Sequence, residues 1–157
     1  MSDARPAPIN TTVTATWIAA HSFEVRAATG TPIAIDAGKV DGPGPVDTLL
    51  GALATCCAVD VIDILAKRRT PVTKLEVVVT AVRRGKEPKR LMAARLEFRL
   101  DGAGIEETHA ERAIELAVDK YCSVASSLAR DITLSSVLVL NGAPKMPRKR
   151  HPEEWGP

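Results

Sequence analysis

From Pro45 to Lys67 the chain carries an apolar segment with no charged residue between Asp47 and Asp60, and any fold must be built around it. Val46, Leu49, Leu50, Leu53, Cys57, Val61, Ile64 and Leu65 recur at the spacing of one helical face. Pro45 suits the first turn, where its missing N–H leaves nothing unpaired. Lys67-Arg68-Arg69 complement the C-terminal end of the helix dipole, and Pro71 ends the element. So little charge predicts a helix with most of its circumference buried.

Strands and shorter helices surround it. Residues 11–20 are β-prone, with Val13, Ala15 and Trp17 alternating, and residues 21–28 continue as a strand. A turn at 28–32 leads to the short strand Ile33–Asp36, giving a meander of three. Gly38, Gly42 and Gly44 form a loop into the long helix. Residues 75–82 and 91–100 read as strands joined by a basic hairpin loop at 83–90. Thr108-His109-Ala110-Glu111 resembles a capping box. Its helix places Ala110, Ala113, Ile114, Ala117, Val118 and Tyr121 on one face, a short helix follows at 124–129, and residues 132–140 form a last strand. The order β-β-β-α-β-β-α-α-β indicates an α+β domain and not a doubly wound one.

At 157 residues and 45% apolar, one compact domain with a real core is expected at 11–142, between a loose arm at 1–10 and a polar tail at 143–157. With two Phe, two Trp and one Tyr, that core must be aliphatic. The net charge of +2 argues neither for nor against nucleic acid. The basic stretches at 67–69, 83–90 and 145–150 lack interleaved aromatics and are diluted by Glu87, Glu153 and Glu154, so they read as solvated loops without a nucleic-acid partner. The N-terminus has no secretory pattern, and no uninterrupted apolar run reaches the roughly 18 residues of a membrane span. The expected location is cytoplasmic, off the membrane, where cysteines are free, metal-bound or catalytic more often than bridged.

The cysteines are therefore the chemical candidates. Cys56 and Cys57 point about 100° apart on the helix. Cys57 falls on the apolar stripe and reads as core, whereas Cys56 shares a face with Ala52, Asp60 and Asp63, which leaves packing and chemistry both open. Cys122 lies between two helical patterns. If Cys122 or Ser123 caps the second, free N–H groups there would favour a thiolate; otherwise Cys122 is a small residue at a tight corner. No metal site is expected, because Cys56 and Cys57 are adjacent and His21, His109 and His151 lack ligand spacing.

Taken together, Pro45-x-Asp47-x-Leu49-x-x-Ala52-x-x-x-Cys56 and the later helix ending in Tyr121-Cys122-Ser123 resemble the OsmC/Ohr family, the osmotically inducible and organic hydroperoxide resistance proteins. The resemblance runs from about residue 11 to 142 and is nearest a less characterised OsmC-like branch. It implies an OsmC-like α+β fold in an intertwined homodimer, with both cysteine-bearing helices near the interface. It further implies a cofactor-free peroxidase acting on organic hydroperoxides. Cys56 would become a sulfenic acid, Cys122 would resolve it as an intramolecular disulfide, and an external dithiol such as dihydrolipoamide or a lipoylated protein would reduce that disulfide. Two positions depart from the family pattern. Val46 stands where the family has a thiol-activating Glu, leaving Asp47 as the nearest acid; the family Arg has no clean match, leaving His21, or Arg26, as the candidate positive charge. The alternative is a non-catalytic OsmC-like protein that binds a small apolar ligand in the interfacial cavity.

Overall fold

The computed structural model describes residues 6–150. Residues 1–5 of the expected arm and 151–157 of the expected tail, His151 included, lie outside the described residues. The fold is α+β, in two compact units, one ending at Thr48 and the other beginning at Leu49.

The first unit holds an antiparallel meander of β1 (Val13–Ala19), β2 (Ser22–Ala27) and β3 (Ile33–Asp36). The β1–β2 turn puts Ala20 at a φ of 45°, and the Trp17 indole N–H reaches the Ala20 carbonyl at 3.1 Å. The Asp36 carboxylate organises the following loop, accepting the N–H groups of Gly38, Val40 and Asp41 at 2.8, 3.0 and 3.2 Å. These bonds, led by that from Val40, hold its pKa below the ordinary carboxylate value.

Helix α1 (Pro45–Lys67) has the bounds expected from the sequence. Gly44 is its N-cap: Thr48 N–H bonds to the Gly44 carbonyl, and the Asp47 carboxylate reaches back to the Gly44 N–H at 3.0 Å. This is the acidic half of a capping box, without a hydroxyl at the cap. At the other end Arg69 adopts a φ of 62°, and Thr70 N–H bonds back to the Leu65 carbonyl.

The expectation of nearly all-round burial for α1 does not hold within one chain. Leu53, Cys57, Val61 and Leu65 form one buried stripe, whereas Leu49, Val59 and Ile62 are exposed. By length and composition alone the helix could cross a membrane, with a mean hydropathy of 2.0, a test that core helices also pass.

In the second unit β4 (Lys74–Arg83) pairs antiparallel with β5 (Leu91–Asp101), and β5 runs parallel to β6 (Thr133–Leu140). A parallel pair needs a crossover. It is supplied by α2 (Glu107–Leu116), a single π turn (Ala117–Tyr121) and α3 (Ser123–Ser127). Alternation on β5 puts Ala94, Leu96, Phe98 and Leu100 on the core face, and Ala110, Ala113, Ile114 and Ala117 of the crossover are buried as well. Arg90 and Asp131 form a bidentate pair at 2.6 and 2.7 Å.

Three local readings change. α2 begins at Glu107 with Glu106 as N-cap and no side-chain capping bond, so Thr108 does not open a capping box. The helix expected to run through Tyr121 switches to π geometry at Ala117. The expected polar tail contributes β7 (Ala143–Pro144) and β8 (Arg148–Arg150), both paired with β6. In the basic hairpin loop, Arg83 bonds to the Lys89 carbonyl and Arg84 to the carbonyls of Lys86 and Pro88.

Candidate functional site

Cys56 and Cys57 come from the middle of α1 and Cys122 from the junction between the π turn and α3. The π turn sets the angle of that junction: its last bond runs from the Cys122 N–H to the Ala117 carbonyl at 2.9 Å. The backbone of Cys122 then turns extended (φ −66°, ψ 108°), and its side chain becomes the N-cap of α3. The Ala125 N–H donates to the Cys122 Sγ at 3.3 Å, with both residues fully buried. Of the two caps open from the sequence, the structure selects the cysteine.

The three sulfurs gather at this point. Cys56 and Cys57 both lie near enough to Cys122 to influence its ionisation. Cys57 and Cys122 are fully buried, and Cys56 is half-buried. All three are free thiols. Burial is the largest influence on the Cys122 thiol and raises its pKa. The Ala125 N–H opposes that rise, neighbouring Cys56 adds to it, and neighbouring Cys57 counters it. The Cys57 thiol is pushed far above the ordinary thiol value, first by burial and then by the neighbouring Cys122. Burial, with Asp63 behind it, also raises the pKa of Asp60.

Cys56 thus lies near enough to Cys122 to raise its pKa. Cys57, read as core packing from its position, is fully buried, and Cys122 is near enough to raise its pKa. Its adjacency to Cys56 was the available signal, but periodicity does not say what stands across from a helical face.

The other two candidates belong to the first unit. The Asp47 carboxylate caps α1 and pairs with Lys39 at 2.6 Å. His21 is exposed in the β1–β2 turn, and its carbonyl accepts the Ala37 N–H at 3.1 Å. Arg26, the other candidate cation, pairs with Glu24 at 3.0 Å.

Two grooves lie along α1. One, of about 220 Å³, is walled by Ala54, Thr55, Ala58, Ile62, Leu75 and Val77. The other, of about 650 Å³, has the charged side chains of Asp60, Lys67, Arg68 and Arg112 among its lining. Among the described residues, no group of His, Cys, Asp or Glu is gathered to hold a metal ion.

Free thiols on a long helix and at the cap of a short one mark a candidate cysteine-based site on an α+β scaffold. The family model described as OsmC-like protein matches residues 37–137, and both α1 and the crossover fall inside that span. The chain belongs to this family, the OsmC/Ohr proteins. It is 32% identical over 120 residues to Protein YhfA of Escherichia coli K12, covering 76% of this chain and 90% of that protein. Among solved structures, an OsmC like protein from Mycoplasma pneumoniae superposes with a TM-score of 0.75 at 19% identity, covering 85% of this chain and 99% of its own. The organic hydroperoxide resistance protein OhrB of Bacillus subtilis superposes with a TM-score of 0.56 at 12% identity, covering 83% and 98%. At these identities the two structures speak to fold alone.

Proposed function

We propose that this chain is a cytoplasmic thiol peroxidase of the OsmC type, reducing organic hydroperoxides without a bound cofactor. The observation that carries the proposal is the placement of two free thiols, Cys56 half-buried in the middle of α1 and Cys122 fully buried as the N-cap of α3, within the span matched by the family. The Cys56 thiolate attacks the peroxide oxygen, the O–O bond breaks, and the alcohol leaves with a proton. Cys56 is then a sulfenic acid. Cys122 attacks its sulfur, the S–O bond breaks, water leaves, and a Cys56–Cys122 disulfide remains. An external dithiol, such as dihydrolipoamide or a lipoylated protein, returns both thiols by exchange.

The half-burial of Cys56 suits it to meet the peroxide, and the full burial of Cys122 reserves that thiol for the intramolecular step. With two Phe, two Trp and one Tyr in the chain, the site is walled by aliphatic side chains, which suits an alkyl hydroperoxide better than hydrogen peroxide. The working unit is a homodimer. Val13, Trp17 and Ile18 of β1 are 57%, 63% and 60% exposed, an apolar surface that a second copy would cover.

Steady-state reduction of cumene hydroperoxide with dihydrolipoamide tests the reading. Turnover is expected in the wild type and absent from Cys56→Ser; equal turnover in both would sink the assignment. One observation favours the non-catalytic alternative. Val46 stands at the family Glu position, and Asp47, its nearest substitute, is engaged in capping and with Lys39. That alternative predicts that apolar ligands bind while the thiols survive hydroperoxide unreacted.

A further inference from the structure

The C-terminal end of α1 carries a cluster of basic side chains that the peroxidase cycle does not use. There Ile64, Lys67 and Arg68 of α1 and His109, Arg112, Ala113 and Leu116 of α2 line the groove of about 650 Å³. The four α2 residues fall at i, i+3, i+4 and i+7, so they share one helical face. Ala113 is fully buried, and Ile64 and Leu116 are half-buried, which gives the groove an apolar part beside its charged one.

We propose that this groove binds a small amphipathic anion, with its apolar body on Ile64, Ala113 and Leu116 and its carboxylate or phosphate head on Lys67, Arg68 and Arg112. The inference is independent of the peroxidase reading.

Arg68 marks the cationic end. Its guanidinium donates from Nη2 to His109 Nε2, which lies 41 residues further along the chain. An arginine that served only the dipole of its own helix would have no need to reach α2. The contact draws the guanidinium toward the α2 side of the groove. Its partner there is an imidazole, which leaves its charge uncancelled, and the other ring nitrogen faces the Glu106 carboxylate at 3.5 Å. Lys67 forms no salt bridge among the described residues. Arg112 engages Glu115 through Nη1 at 2.8 Å. A guanidinium carries five N–H donors, so both arginines keep N–H groups for an incoming oxyanion.

Two acidic side chains, Asp60 and Asp63, line the same groove and set the direction of the ligand. Asp60 lies about 10 Å from Lys67 along the helix axis, at about 1.5 Å per residue. An anionic head is repelled from that end and attracted to the Lys67 end. An uncharged amphiphile of the same length gains only the apolar part.

Isothermal titration calorimetry with octanoate, octyl phosphate and the uncharged octanamide, each below its critical micelle concentration, tests the site. Methyl NMR of Ile64 and Leu116 locates the ligand. The anions should move these methyl signals, and octanamide should bind at least about tenfold more weakly, the worth of one charge-assisted hydrogen bond. The tighter of the two anions identifies the head group. Arg68→Gln should lose about the same factor toward the anions and nothing toward octanamide. Asp63→Asn should bind the anions more tightly, a gain that damage to the fold could not produce. Failure of both anions to bind, equal affinity for the anions and octanamide, wild-type affinity in Arg68→Gln, or binding that leaves both methyl signals in place would each overturn the inference.

Discussion

Cys122 serves two purposes that substitution can separate, one in the chemistry and one in the backbone. Its sulfur caps α3 by accepting the Ala125 N–H at 3.3 Å, where both residues are fully buried. Cys122→Ala removes the acceptor and leaves a buried N–H without a partner, at about 1–3 kcal/mol. Cys122→Ser keeps a side-chain acceptor of a type preferred at N-caps. The two variants should therefore differ by about 1–2 kcal/mol, or roughly 2–8 °C in Tm at the roughly 2–4 °C per kcal/mol of a chain this size. Both lack the resolving thiol and should accumulate the same dimedone-reactive sulfenic acid on Cys56. Thermal unfolding followed by circular dichroism gives the first quantity and dimedone mass labelling the second. Equal melting of the two variants would refute the cap as a source of stability. A disulfide to Cys56 in either would refute Cys122 as the resolving partner.

Three further outcomes follow from the fold. Phe98→Ala empties a fully buried core position and should destabilise the protein by about 3–5 kcal/mol in urea unfolding; a loss below about 1 kcal/mol would mean that the β5 face is not core. The folded pKa of Asp36 is depressed, so its contribution is present above the unfolded value of about 3.9 and is lost as pH falls through the folded one. The stability gap between wild type and Asp36→Asn should therefore narrow on acidification, and a constant gap between neutral and strongly acid pH would contradict this. Ile62, exposed on α1, should tolerate Asp within one chain yet break a dimer that covers this face, so sedimentation of Ile62→Asp should report a monomer; an unchanged dimer would exclude this face from the interface.

The central helix was legible because several local signals agreed on it: Pro45 at the start, the apolar stripe and Lys67 at the end. The strands flanking the basic loop were legible for the same reason, whereas the sequence left the cap of α3 open between Cys122 and Ser123. Burial all around α1 was not, because hydrophobicity shows that a face avoids water without showing what covers it. The π turn arises from how the crossover returns to the sheet, a tertiary demand that the helical pattern through Tyr121 does not encode. The short strands β7 and β8 depend on the open edge of β6 more than on their own composition. At the site, Cys56 and Cys122 stood out as chemically unusual positions. Cys57 read as core because it lies on the stripe, and it is indeed buried. That Cys122 also raises its pKa reflects how the chain returns in three dimensions, which no local pattern records.

The account depends most on Cys56 being the entry point for oxidising equivalents that end in a disulfide to Cys122. Intact-mass analysis after one equivalent of cumene hydroperoxide addresses this directly, since a disulfide removes two hydrogens from the chain. The account predicts loss of two hydrogens from nearly every wild-type chain within seconds, and an unchanged mass for Cys56→Ser. An unchanged wild-type mass, or the same loss in Cys56→Ser, would contradict it.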